Sequence, residues 1–173
     1  MIDRRALLVS LAAIFAGRPI AAAESPDAIV AAIYKRIIAT YSPAKRNTIN
    51  GAFTWSTRKE RHHYYSAGLA KAWDHADAIT AKGDQNPPAA CPITNSQDPL
   101  VRAFDVAIER RDTRSATVIA HISQDPGPVK PSDWGTIAYD MVFERGRWRI
   151  DDIRPGVGKD AGSLRREIIN HKG

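Results

Sequence analysis

The sequence predicts an α+β fold in which helices come first and an antiparallel sheet second. Two observations carry this. Between residues 26 and 82 the apolar side chains recur at helical spacing, and from residue 101 onward they alternate strictly, as strands do. Between the two regions, Gly83, Pro87, Pro88, Pro92 and Pro99 interrupt both periods. Helices and strands segregated along a chain are the pattern of an α+β domain, with helices gathered on one face of the sheet.

The first helix is predicted over 26–41. Ser25 can cap it, Pro26 suits its first turn, and Ile29, Ile33, Tyr34, Ile37 and Tyr41 form one stripe before Ser42-Pro43 ends it. Residues 44–56 have no period, and Asn50-Gly51 marks a turn. A second, continuous helix is predicted over 57–82. Thr57 and Glu60 make a capping-box pair, Tyr65, Leu69, Ala72 or Trp73, Ala76 and Ile79 make the apolar stripe, and Lys82-Gly83-Asp84 is the stop. About four strands follow. Phe104, Val106 and Ile108 define the first. After a turn at 110–114, Ala116, Val118, Ala120 and Ile122 define the second. Ile137, Tyr139, Met141 and Phe143 define the third. Arg145-Gly146 is a tight hairpin, and Trp148 and Ile150 point away from Arg147 and Arg149 along the fourth. A short C-terminal helix over 163–170 would dock Leu164, Ile168 and Ile169.

The chain has 173 residues and a mass of 19.0 kDa, of which 25% are charged and 43% hydrophobic. That composition excludes a disordered or low-complexity chain and suits one folded domain. A single Cys excludes an internal disulfide framework and a Cys-rich zinc module. Cys91 reads as a half-buried residue beside Pro92.

The first 23 residues read as an export signal. Arg4 and Arg5 begin it, an apolar run from Ala6 to Ala16 follows, and Ala21-Ala22-Ala23 is a small-residue cleavage site before Glu24. The run is too short to span a bilayer, which takes about 20 residues. Arg4-Arg5-Ala6-Leu7-Leu8 is similar to a twin-arginine core, although Asp3 stands where Ser or Thr is usual. The expected location is periplasmic or secreted. The expected mature chain, 24–173, forms one domain with no transmembrane segment, 22 basic and 18 acidic side chains, and a net charge of +4.

Several motifs resemble one family. Cys91-Pro92-Ile93-Thr94-Asn95-Ser96-Gln97-Asp98-Pro99 resembles the segment before the first strand of the DUF3828 family, a domain of unknown function. The ending Arg147-Trp148-Arg149-Ile150-Asp151-Asp152-Ile153 resembles its last strand. Tyr64-Tyr65-Ser66 and Trp73 fit its second helix. The resemblance covers roughly residues 27–155 and implies an NTF2-like cone, a curved antiparallel sheet wrapped on helices with a pocket at its mouth. It also implies dimerisation through the open sheet face, against which the alternating Arg147 and Arg149 argue. It carries no catalytic residues, and such folds host enzymes, binding modules and interaction proteins alike.

Six residues are candidates for that pocket: Trp73, Asp77, Gln97, Asp98, Tyr139 and Asp140. Trp73 and Asp77 are neighbours at i and i+4. They form either an aromatic wall with a pocket carboxylate or a core Trp bordered by an Asp that bonds backbone or Arg. Gln97 and Asp98 stand either at the rim of the cone or in an Asp-Pro turn that bonds its own backbone. Asp140 lies on the strand face opposite Tyr139 and Met141. On a concave face it would be a general acid or base; on a convex one it would pair with an Arg across the sheet. Asp151 and Asp152, as consecutive strand residues, should point to opposite faces, one of them capping or pairing with Arg154.

No metal site is expected, since adjacent His62 and His63 diverge on a helix and no zinc spacing occurs. No cofactor is expected either, for there is no P-loop or Gly-rich dinucleotide fingerprint. The basic residues are scattered through turns and edges, so nucleic acid is not an expected partner; a small molecule or an envelope protein is. The leading functional reading is a non-enzymatic binding or protein-interaction module of the bacterial envelope. One alternative is a small-molecule enzyme, which needs Asp77, Asp98, Asp140 or His121 to converge beside Trp73 or Tyr139. The other is an immunity-type or inhibitor partner of another envelope protein.

Overall fold

The computed structural model of the protein describes residues 23–40, 57–80, 88, 90–97, 100–125, 127, 130–156 and 161–172. Residues 1–22 of the segment read as an export signal, Tyr41, the expected turn at Asn50-Gly51, the expected helix stop at Lys82-Gly83-Asp84, and Asp98-Pro99 lie outside the described residues. The architecture is α+β. Helices α1 (Pro26–Thr40), α2 (Arg58–Tyr64) and α3 (Ala67–Ile79) precede strands β1 (Ala103–Arg111), β2 (Ser115–Ser123), β3 (Gly135–Glu144) and β4 (Arg147–Pro155), and α4 (Leu164–Asn170) follows. The strands form one antiparallel meander in the order β1-β2-β3-β4. Among the described residues no helix is long and apolar enough to cross a membrane.

The periods explain the packing. Val30, Ile33, Tyr34 and Ile37 are the buried stripe of α1, which lies across β1 and β2. The same sheet face supplies Val118, Ala120, Ile122, Tyr139, Met141, Ile150 and Ile153, and all are buried. Tyr34 and Tyr139 meet hydroxyl to hydroxyl at 2.7 Å, and the Tyr34 hydroxyl donates to the Ile93 carbonyl at 2.9 Å. Tyr34 has one proton to give, so Tyr139 is the donor between the two phenols. The β3–β4 hairpin turns at Arg145 (φ 51°) and Gly146 (φ 80°). Positive φ at both central residues is what a type I′ turn requires, and it matches the twist of the flanking strands.

The helix expected over 57–82 is two helices. Tyr65 is extended (φ −92°, ψ 159°), and the Ser66 amide donates to the Ile150 carbonyl at 2.7 Å, adding a parallel bridge to the edge of β4. The break is compensated on both sides. The Ser66 hydroxyl accepts from the Leu69 amide at 3.1 Å, capping α3, and donates to Asp151 at 2.6 Å. Arg149 donates to the carbonyls of His62 and His63 in the last turn of α2. That satisfies groups a helix end leaves open and places a cation at the negative end of the helix dipole. Ser66→Ala therefore removes a cap and a buried partner of Asp151. A loss of about 1–2 kcal/mol is expected in urea unfolding, and a change within error would show that the break is held by the backbone bridge alone.

Two bulges place charged residues. In β1 the register slips between Ile108 and Arg110, leaving Glu109 as the extra residue. Strict alternation would send Arg110 to the core face with Ile108. The slip pairs it with Thr117 on the outer face and puts Arg111, still exposed, on the same face as Trp148, with its guanidinium 5.3 Å over that ring. In β4, Ile150 pairs with Met141 and Asp152 with Asp140, so Asp151 is the extra residue. Ile150 and Ile153 can then both be buried while Asp152 leaves the core face.

The ends of the fold depart from expectation in three places. The turn after β1 is tighter than residues 110–114, since β1 continues through Arg111. Asp112 then holds the turn, accepting from the amides of Arg114 and Ser115 and from the Ser115 hydroxyl. Those three bonds lower its carboxyl to about 2. Ile169 is exposed, and only Leu164 and Ile168 of α4 are buried. Asp152 accepts from the Ser163 hydroxyl and the Arg165 amide, which seats the start of α4. Cys91 is buried rather than half buried, and burial pushes its thiol up, partly offset by a hydrogen bond with Thr94.

Candidate functional site

On the helix side of the sheet the two aromatic candidates are closed off from solvent. Trp73 is 1% exposed and Tyr139 is 0%. Both are core residues: Trp73 takes the core reading of its two, and Tyr139 is buried in the core rather than exposed at a pocket mouth. The Trp73 ring packs on Tyr65, with centroids 5.5 Å apart, and carries the Arg61 guanidinium at 5.3 Å. Tyr139 meets Tyr34 edge-on, and Tyr34 stacks on Phe104. Burial is the main cause that raises the phenols of Tyr34, Tyr65 and Tyr139 above the usual tyrosine range.

Asp77 borders Trp73 as the i, i+4 spacing predicts, and it serves Arg61. The guanidinium of Arg61 donates to Asp77 at 2.6 Å and to Asp74 at 3.1 Å. Arg61 is buried, which is tolerable for a cation only with such partners. Asp74 also receives Arg58 and His62. Burial alone would push its carboxyl up, but the bonds from His62 and Arg61 and the charge of Arg58 hold it below the usual range. Arg61 itself escaped the sequence reading. The available signal was a basic run, Arg58-Lys59-Glu60-Arg61-His62-His63, followed by Asp74 and Asp77.

Gln97 is exposed on the loop that follows the Cys91–Ser96 bridge, and Asp98 beside it lies outside the described residues. Asp140 projects from the outer face, away from Tyr139. Its two oxygens receive Arg154 Nε at 2.7 Å and a terminal Arg154 nitrogen at 3.0 Å, and Thr117 adds a bond at 3.3 Å. A carboxylate with both oxygens engaged by one guanidinium is an anchor, not a free general base. Both side chains are more than a third exposed, so the pair contributes below about 1 kcal/mol to stability. The bond to Asp140 is the main cause that raises the guanidinium of Arg154. His121 stands on the same outer face beside Thr136, at 3.1 Å.

The candidate site is the cleft around this pair. It is an open trough of about 730 Å³ on the outer sheet face. Glu109 and Arg110 line it from the β1 bulge, Ser115 and Thr117 from β2, Asp140 from β3 and Arg154 from β4. Both charge signs are present, and neighbouring strands hold donors and acceptors in register. Such a trough can hold polar groups along a surface, and its hydroxyls are already engaged, Ser115 donating to Asp112 at 2.6 Å and Thr117 to Asp140 at 3.3 Å. Among the described residues no group of three His, Cys, Asp or Glu side chains could hold a metal ion. In comparisons with known proteins, no family model, no curated protein and no solved structure matches this chain.

Proposed function

We propose that this chain is a non-enzymatic binding module of the bacterial envelope that presents its outer sheet face to a protein partner. We read its fold as an NTF2-like cone of the DUF3828 type, and residues 1–23 as the signal that exports it. One observation carries the functional reading. Around Trp73 and Tyr139 the helix side of the sheet is filled by the molecule's own side chains, while a cleft of about 730 Å³ lies open on the other face. Among the described residues, those that the enzyme reading names do not converge beside Trp73 or Tyr139. Asp77 serves Arg61 between α2 and α3, Asp140 is engaged by Arg154 on the outer face, and His121 is on that face beside Thr136.

The test uses the tagged chain recovered from periplasmic extract. A charge reversal at Arg110 (Arg110→Glu) in the trough should lower partner recovery by about tenfold, while Lys71→Glu on the exposed side of α3 leaves it unchanged. Equal recovery with both variants would remove the outer face as the binding surface.

A further inference from the structure

A second cleft joins α1, α2 and the start of β4, and it shares no lining residue with the outer trough. Its wider arm, about 450 Å³, is lined by Arg36, Lys59, Glu60, His63, Tyr64 and Arg147, among others. A narrower arm of about 150 Å³ continues past the same His63, Tyr64 and Arg147 to Ile29, Ala32 and Trp148, with Glu24 at its side. One arm is therefore cationic, the other adds three apolar residues, Ile29, Ala32 and Trp148, and three residues belong to both.

The cations differ in how they are held. Arg36 is fixed between the Glu60 carboxylate, at 2.9 Å, and the Tyr64 hydroxyl. Among the described residues Lys59 and Arg147 have no ion-pair partner. Glu144 faces Arg147 across the hairpin, but its carboxylate accepts from the Ala67 amide at 3.1 Å. The wider arm thus brings three cations together against one carboxylate, which is already used. His63 stands edge-on to Tyr64 with centroids 4.6 Å apart. Trp148, in the wall of the narrow arm, meets Phe143 edge-on and carries the Arg111 guanidinium over its ring.

We propose that this cleft binds an organic phosphate monoester. The dianionic phosphate sits among Arg36, Lys59 and Arg147, and a small apolar substituent lies against Ile29, Ala32 and Trp148. Two cations that pair with no described carboxylate match a dianion better than a single carboxylate. Arg36, pre-positioned by Glu60 and Tyr64, supplies a planar fork suited to phosphate oxygens. The narrow arm has room for about five water-sized groups at roughly 30 Å³ each, which suits a short chain or the first carbons of a longer one.

Calorimetric titration with hexyl phosphate, inorganic phosphate and hexanol tests this. Hexyl phosphate is expected to bind saturably, at least about tenfold tighter than either fragment. Lys59→Glu and Arg147→Glu should each weaken it about tenfold or more, and Arg110→Glu in the outer trough by less than about twofold. Lys59 and Arg147 are both exposed, so near-UV circular dichroism of the variants should match the parent protein. Inorganic phosphate binding as tightly as hexyl phosphate, or an equal loss with Arg110→Glu, would overturn the site in favour of general surface charge. Absence of saturable binding would overturn it outright. Vesicles of phosphatidylcholine with and without phosphatidate separate the sources. Binding of both hexyl phosphate and phosphatidate vesicles identifies a lipid phosphate, and binding of hexyl phosphate alone a soluble ester. Binding of vesicles alone overturns the proposal.

Discussion

Trp73→Ala is expected to cost about 3–5 kcal/mol of folding stability, the range for truncating a fully buried aromatic side chain. The ring is closed from solvent on all sides, so its removal leaves a cavity between Tyr65 and the α2–α3 junction that the surrounding helices cannot close. A second loss adds to it. Arg61 rests its guanidinium on the ring and loses that face, worth up to about 2 kcal/mol where the contact is desolvated. For a domain of this size, 1 kcal/mol shifts the melting temperature by about 2–4 °C, so a drop of about 10 °C is expected. Trp73→Phe keeps part of the volume and should lose less. A Trp73→Ala protein within about 1 kcal/mol of the parent in urea unfolding would mean that the ring is not packed as described.

The second large effect is alkaline. Tyr34, Tyr65 and Tyr139 are buried, and burial raises each phenol above its ordinary value of 10.0. In the folded protein they keep their protons as pH rises through 10, whereas the unfolded chain releases them. The unfolded state thus binds fewer protons, and stability falls with pH above that point. Each phenol contributes up to about 1.4 kcal/mol per pH unit, and the three together about 4. Their contribution is fully present below pH 10 and is lost as pH climbs towards the folded values. Against a typical stability of about 5–15 kcal/mol, the fold should be lost near pH 12. Tyrosinate absorbance and near-UV circular dichroism, followed together, check this. Three of the five tyrosines should ionise only as the tertiary signal collapses. Reversible ionisation of all five with that signal intact would show that the phenols are accessible.

Much of the fold was legible because burial writes a period into the sequence. The four strands and the α1 stripe follow from it, as does the seat of α4 on Leu164 and Ile168. The break at Tyr65-Ser66 was not legible, because Ser66 carries the same local signal inside a helix as at its start. What decides is Ile150, far along the chain, whose carbonyl takes the Ser66 amide. The β4 bulge left a readable trace, since Ile150 and Ile153 are three apart in a strand whose apolar residues elsewhere alternate. Treating Asp151 and Asp152 as ordinary consecutive strand residues missed it.

The candidate sites divide along the same line. Alternation alone put Asp140 on the face opposite Tyr139, but it could not say which face the helices cover. The hydroxyl of Tyr34 on Tyr139 answers that, and with it Asp140 becomes an outer-face partner of Arg154. Arg36, Lys59 and Arg147 share no local pattern, so only the docking of α1 and α2 beside the β4 hairpin makes them a cationic cleft. By itself the sequence determined the fold class, the order of elements, the hairpin turn and most of the buried stripes, because these depend on neighbours within a few residues. Only the tertiary structure decided which face was covered, where the second helix broke and which charges met, because each of those rests on contacts between residues far apart in the chain.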